Sequence, residues 1–135
     1  MYQGILLIDD DDDDQFIFLA ALEDAAPDSH CNISNNALEA FQYLHTRTDT
    51  PDMIFLDLNM PLMNGFEFLL VLKNDLRFSR IPVIIFSTSD NPEDQARAKE
   101  LGALQFITKT ADIELLKKDL RYIINKTGIM ELLIH

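Results

Sequence analysis

Residues 5–14 read ILLIDDDDDD, four apolar side chains running straight into six consecutive aspartates. An apolar run this short, stopped by polar residues, fits a strand buried on both faces. Like charges this close repel, and the repulsion grows when they leave water. Acids at the end of a buried strand therefore call for a cation.

Working outward, the same kind of run recurs as MIFL (53–56), VIIF (83–86) and QFIT (105–108), with a weaker CNIS at 31–34. Between the runs lie helix-period segments. Phe18, Ala21, Leu22 and Ala25 fall at i, i+3, i+4 and i+7, as do Ala37, Ala40, Phe41 and Leu44. Gly65, Phe68, Leu69, Leu72 and Leu76 continue the pattern, and Ile113, Leu116, Leu120, Ile123 and Ile124 close it. A further helix over 92–101 is punctuated by Asn91 as cap, Pro92 in its first turn and Gly102 as its stop. It carries few apolar residues and is expected to be mostly exposed.

Five strand–helix units of this kind predict an α/β fold, a five-stranded parallel sheet with helices on both faces. The chain has 135 residues, enough for one domain with a substantial core. That domain is read as residues 1–127, with GIMELLIH (128–135) as a short apolar tail beyond the last expected helix. No apolar stretch approaches the ~20 residues needed to span a bilayer, and the first apolar run is too short for a secretory signal. A cytoplasmic protein is expected. The net charge of −12 argues against nucleic acid and anionic membranes as direct partners and favours divalent cations and basic protein surfaces. One cysteine, Cys31, excludes an internal disulfide.

In such a sheet, ligands bind beyond the carboxyl ends of the strands, where the strand order reverses. After ILLI stand Asp9 and Asp10. After MIFL stand Asp57, Leu58 and Asn59. After VIIF stand Ser87 and Thr88, and after QFIT stands Lys109. Carboxylates, hydroxyls and an ammonium would thus meet at one edge.

These residues resemble the receiver domain of two-component response regulators, the CheY-like group, over essentially the whole chain. The match lies in Asp9–Asp10, in Asp57 within FLDLNMPLMNG, in Ser87 within IIFSTS, and in Phe106 and Lys109 within GALQFITK. IPVIIFSTS and TKTAD are also similar to the phytochrome-associated lone receivers. The resemblance implies a flavodoxin-like, doubly wound (βα)5 fold and a phosphoryl group passed from a histidine kinase or phosphotransfer protein to Asp57. It implies Mg2+, with Mn2+ as a substitute, on Asp9, Asp10, Asp57 and the backbone carbonyl of Asn59. Ser87, Thr88 and Lys109 would meet the phosphoryl group, and Phe106 would turn inward behind Ser87. The face of the fourth helix, fifth strand and fifth helix would then change its affinity for a downstream protein, and that face or the tail could form a homodimer. Such a module is no enzyme in the ordinary sense: it catalyses only its own phosphorylation and dephosphorylation. The family usually has proline after the lysine, whereas Thr110 follows Lys109 here, removing a rigid turn.

The register of the acids comes from the strand. Asp9 and Asp10 stand at its carboxyl edge, while Asp11 to Asp14 fall at the start of a helix beginning near Gln15, facing the positive end of its dipole. Two other classes compete. Asp9 and Asp11 mimic the D-x-D of haloacid dehalogenase phosphatases, but the later acidic motif is absent and Asp57 has no role there. A binding-only receiver would need no filled site, yet every position is filled. An EF-hand loop counted from Asp9 puts Asp14 and Ala20 where glycine and glutamate are required. His30, His45 and His135 share no ligand spacing.

Overall fold

The computed structural model describes the backbone of residues 3–134 and the side chains of residues 4–127. Ten elements alternate without exception. They are β1 (Gln3–Ile8), α1 (Asp12–Ala25), β2 (Ser29–Ser34), α2 (Ala37–Thr46), β3 (Met53–Leu56), α3 (Gly65–Lys73), β4 (Val83–Ser87), α4 (Pro92–Glu100), β5 (Gln105–Thr108) and α5 (Ile113–Ile134). The strands form one parallel sheet in the order β2-β1-β3-β4-β5. The order reverses between β1 and β3, which makes the crevice beyond their carboxyl ends the place for a ligand.

Side-chain alternation along the strands divides the interior in two. Leu6, Ile8, Ile54, Leu56, Val83 and Ile85 pack with α2 and α3 and with Ala98 of α4. Ile5, Leu7, Met53, Phe55, Ile84, Phe86 and Ile107 pack with α1 and α5 around Phe18, Leu116 and Leu120. A continuous apolar run is thus what a strand buried on both faces requires. In α4 only Ala98 is buried, as its composition leads one to expect.

Three boundaries differ from those expected. Helix α1 begins at Asp12 rather than near Gln15, because the Asp11 carboxylate accepts the Asp14 N–H at 3.0 Å and caps it. Helix α3 stops at Lys73, so Leu76 lies outside it, 96 % exposed. Asn74 and Asp75 end the helix with side-chain hydrogen bonds to Leu70 O and from the Arg77 N–H, and Phe78 takes the buried place instead. Helix α5 continues through Ile134, so residues 128–134 extend its backbone rather than following it. The side chains of that stretch, and His135, lie outside the described residues. Among the described residues no helix is long and apolar enough to cross a membrane.

One close approach fixes the site from behind. Gly65 opens α3 after an Asn64–Glu67 capping box, and its N–H donates to Leu58 O at 3.0 Å. A Cβ on Gly65 would sit 2.4 Å from the Asp57 carbonyl oxygen and 2.8 Å from Leu58 Cα. Gly65→Ala is therefore expected to lower stability by about 1–3 kcal/mol through overpacking against backbone. Urea midpoints of the two proteins measure this, and an unchanged midpoint would show that the segment after β3 yields freely.

Candidate functional site

The ladder itself carries the acids to the switch point. The Asp9 N–H donates to Ser34 O at 3.0 Å and the Asp57 N–H to Ile8 O at 2.9 Å. Asp9 is fully buried and Asp57 is 3 % exposed, whereas Asp10 faces solvent. One carboxylate oxygen from each of Asp9, Asp10 and Asp57 lies within 4.8 Å of the others.

Lys109 follows β5 and reaches back across the sheet edge, its backbone N–H held by Ser87 O at 2.7 Å. Its ammonium is 2.9 Å from Asp9 Oδ2, 3.5 Å from Asp57 Oδ2 and 2.7 Å from Asp14 Oδ2. The stem crosses Phe86, whose ring centroid lies 5.4 Å from Nζ. The turn that follows is closed by the Thr110 hydroxyl, which accepts the Asp112 N–H at 3.1 Å. A side-chain hydrogen bond thus braces the turn after Lys109.

Burial sets the electrostatics. Desolvation pushes the Asp57 carboxyl up to about 6, against the Lys109 charge that lowers it and with the Asp9 charge that raises it further. Asp9 is also raised, by burial first, with the Asp11 N–H and Lys109 opposing. Burial would lower the Lys109 ammonium, but its hydrogen bond to Asp14, the close Asp9 carboxylate and the Asp57 charge hold it above its ordinary range.

The oxygens fit a hard divalent cation, which prefers carboxylate and carbonyl ligands and retains waters. Asp9 Oδ1 and Asp57 Oδ1 already accept the N–H groups of Asp11 and Asn59, at 3.0 and 3.2 Å. Asp9 Oδ2, by contrast, is buried without an aligned hydrogen-bond donor, although Lys109 Nζ is near. A buried carboxylate oxygen needs positive charge beside it, and a bound cation would add to what the ammonium supplies.

Ser87 ends β4 fully buried, and its Oγ accepts the Ser89 N–H at 3.3 Å. Its neighbour Thr88 is exposed. Ser89 Oγ donates to Asp94 Oδ2 at 2.7 Å, and the Thr108 hydroxyl donates to Ser89 O at 3.3 Å. The segment between β4 and α4 is thereby tied to β5. Phe106 stands apart from the carboxylates: half-buried, it packs on the α2–α3 side of the core and lines a concavity of about 300 Å³ with Gln95, Ala98 and Leu104.

Two residues of this site were not expected. Asp14, read as part of a solvated helix start, is half-buried and hydrogen-bonds Lys109. Gln15 donates through Nε2 to Asp9 O at 2.6 Å and to Asn35 Oδ1 at 2.8 Å, holding the end of β1. The signal for Asp14 was present, since it stands four residues before buried Phe18 on the inward stripe of α1. Asp11, the second acid of the D-x-D alternative, is exposed and engaged as the helix cap.

Comparison with known proteins finds relatives over most of the chain. Residues 5–121 match the model of the response regulator receiver domain. Protein PilH of Pseudomonas aeruginosa is 37% identical over 78 residues, covering 58% of this chain and 64% of that protein, so the match spans just under two thirds of PilH. Response regulator Rcp1 of Synechocystis sp. is 30% identical over 119 residues, covering 84% of this chain and 81% of that protein. Among solved structures, the phosphorylated cyanobacterial phytochrome response regulator RcpA superposes with a TM-score of 0.81 at 30% identity, covering 91% of each chain. The Mn(2+)-bound form of Rcp1 gives 0.78 at 29% identity, covering 90% of this chain and 91% of that one.

Proposed function

This chain belongs to the response regulator receiver domain family, and on that premise we propose that it accepts a phosphoryl group on Asp57 and signals by changing its binding to another protein. The observation that carries the reading is one cluster. The Asp57 carboxylate ends β3 with Lys109 Nζ 3.5 Å away and the Asp9 and Asp10 oxygens within 4.8 Å.

The donor is a phosphohistidine on a kinase or phosphotransfer protein. An Asp57 oxygen attacks phosphorus, forming an O–P bond as the N–P bond breaks. The imidazole leaves with the bonding pair and takes up a proton. Asp9, Asp10, Asp57 and the Asn59 carbonyl would hold Mg2+, which would supply charge neutralisation at the phosphoryl oxygens. The chain's own part is positioning and charge. Asp57 is the nucleophile, held from behind by the close approach of Gly65. Lys109 pairs with a phosphoryl oxygen as a point charge. The Ser87 hydroxyl donates to the phosphoryl group once it has arrived, with Thr88 beside it at the exposed end of β4.

Ser87 can convert occupancy into a shape change because its new bond exists only in the phosphorylated state. The segment after β4 is tied through Ser89 to Thr108, two residues beyond Phe106. A shift of Ser87 can therefore reach the α4–β5–α5 face, where Phe106 lines the concavity and a downstream protein or a second copy would dock. Hydrolysis of the acyl phosphate resets the module, which has no separate substrate and would work in the cytoplasm.

Intact mass after incubation with Mg2+ and acetyl phosphate tests this reading. The parent is expected to gain one phosphate, and the magnesium-free control and Asp57→Asn to gain none. A gain that survives Asp57→Asn would move the acceptor elsewhere and overturn the assignment.

A further inference from the structure

We infer that Asp14 is a positioning residue that holds the Lys109 ammonium on the α1 side of the site until a phosphoryl oxygen on Asp57 draws it away. The inference rests on the reading of Asp57 as phosphoacceptor, and it adds a residue from outside the strand ends.

Lys109 Nζ has a hydrogen bond to Asp14 Oδ2 at 2.7 Å, the shortest of its three carboxylate contacts. Asp9 Oδ2, although 2.9 Å away, is left without an aligned donor, and Asp57 Oδ2 is 3.5 Å away. An ammonium has three N–H bonds to distribute, and here its aligned bond to a carboxylate goes to the residue that does not react. Phe86 beneath the stem and a side-chain exposure of 8 % limit how far the Lys109 ammonium can move. The Asp14 side chain is 28 % exposed, so water can solvate it after the bond is released. Its place is set by the fold. The cap at Asp11 starts the helix, and the inward stripe through Phe18 and Ala21 then turns Asp14 toward the site.

Pairing Lys109 with a phosphoryl oxygen thus requires giving up or sharing the Asp14 bond. In the acetyl phosphate reaction an Asp57 oxygen forms its bond to phosphorus while the bond from phosphorus to the acetate oxygen breaks. Acetate departs with the electron pair. Asp14 takes no part in that exchange; it sets how readily Lys109 meets the charge that develops.

The test compares Asp14→Asn, which keeps the shape and removes the charge, with Asp14→Glu and Asp12→Asn. Asp12 is exposed in the same helical turn, so its substitution makes the same charge change away from Lys109. Phosphorylation by acetyl phosphate at fixed Mg2+ is followed by intact mass. Asp14→Asn is expected to raise the rate about tenfold, the scale of one charge-assisted hydrogen bond partly lost. Asp14→Glu should stay near the parent and Asp12→Asn should leave the rate unchanged. The gain should persist at about 0.5 M salt, where repulsion of the donor by exposed acids is screened. In a nitrogen-15 spectrum of lysine ammonium groups, the Lys109 signal should shift in metal-free Asp14→Asn and not in Asp12→Asn.

An Asp14→Asn rate equal to or below the parent's would overturn the inference, as would an equal rise in Asp12→Asn. If the parent gains no phosphate, the acceptor reading fails instead. The ammonium spectrum then decides the Asp14–Lys109 hold independently, an unchanged signal overturning it.

Discussion

Lys109→Met is expected to weaken the metal-free fold by about 2–4 kcal/mol at pH 7 and to slow metal-dependent phosphorylation by about a hundredfold or more. Methionine keeps most of the stem's volume over Phe86, so packing changes little and the charge is what is lost. The ammonium lies within 3.5 Å of Asp9, Asp14 and Asp57, and Asp9 and Asp57 are almost wholly buried. Removing one partner of a buried pair leaves the other desolvated and unpaired, and that residue dominates the cost. The acids can relieve it by binding protons, since burial already raises Asp9 and Asp57. The deficit should therefore shrink between pH 7 and pH 5, and added Mg2+ should recover part of it by binding only the folded site. Urea midpoints at the two pH values, with and without Mg2+, provide the measurement. A deficit that grows on acidification would mean that the carboxylates are not what Lys109 neutralises. Phosphorylation at the parent's rate would remove Lys109 from the phosphoryl-binding set.

How far the site could be read in advance follows from the period of each element. The runs ILLI, MIFL and VIIF are apolar without interruption because they are buried on both faces, so each visibly ends at its first polar residue. That is why Asp9, Asp57 and Ser87 could be picked out; Lys109 follows the half-exposed QFIT, and all four are found at one edge of the sheet. The acid run defeated the same logic. Six identical residues carry no internal contrast, so Asp14 looked like its solvated neighbours although the stripe through Phe18 reaches it. Leu76 failed for the opposite reason. It fits the helical period, but Asn74 and Asp75 offer the backbone side-chain bonds that end α3 first. The open face of α4 was legible in its composition. The concavity beside Phe106 was not, since it depends on how α4 meets β5.

Asp57→Asn is expected to abolish the phosphate gain and, in metal-free buffer at pH 7, to stabilise the fold by about 2–3 kcal/mol. Burial places the Asp57 carboxyl at about 6 in the folded chain, against 3.8 as its ordinary value. Below the lower value both states carry the proton, and amide and acid cost nearly the same. Between the two values the folded chain holds a proton that the unfolded chain has released, so the parent loses stability as pH rises. Above the upper value both are ionised, and the folded parent bears the full cost of a desolvated charge. The stability difference between variant and parent should thus open from pH 4 to pH 6 and then level off. Its size follows from proton affinity, each tenfold difference between the folded and unfolded chain being worth about 1.4 kcal/mol. Mg2+ should narrow it, because a bound cation favours the ionised acids in the parent and binds a site lacking one carboxylate more weakly. Urea denaturation across this pH range, in chelator and then in Mg2+, gives both curves. A variant less stable than the parent at pH 7 would show that Lys109 compensates Asp57 fully, and the site would then need no metal to balance its charge. A variant whose advantage is present at pH 4 and constant would place the gain in packing rather than in ionisation. The expected pattern, an advantage that appears with ionisation and recedes with Mg2+, would mean that the same buried charge that makes Asp57 a nucleophile also makes the metal-free fold less stable and gives the metal its hold.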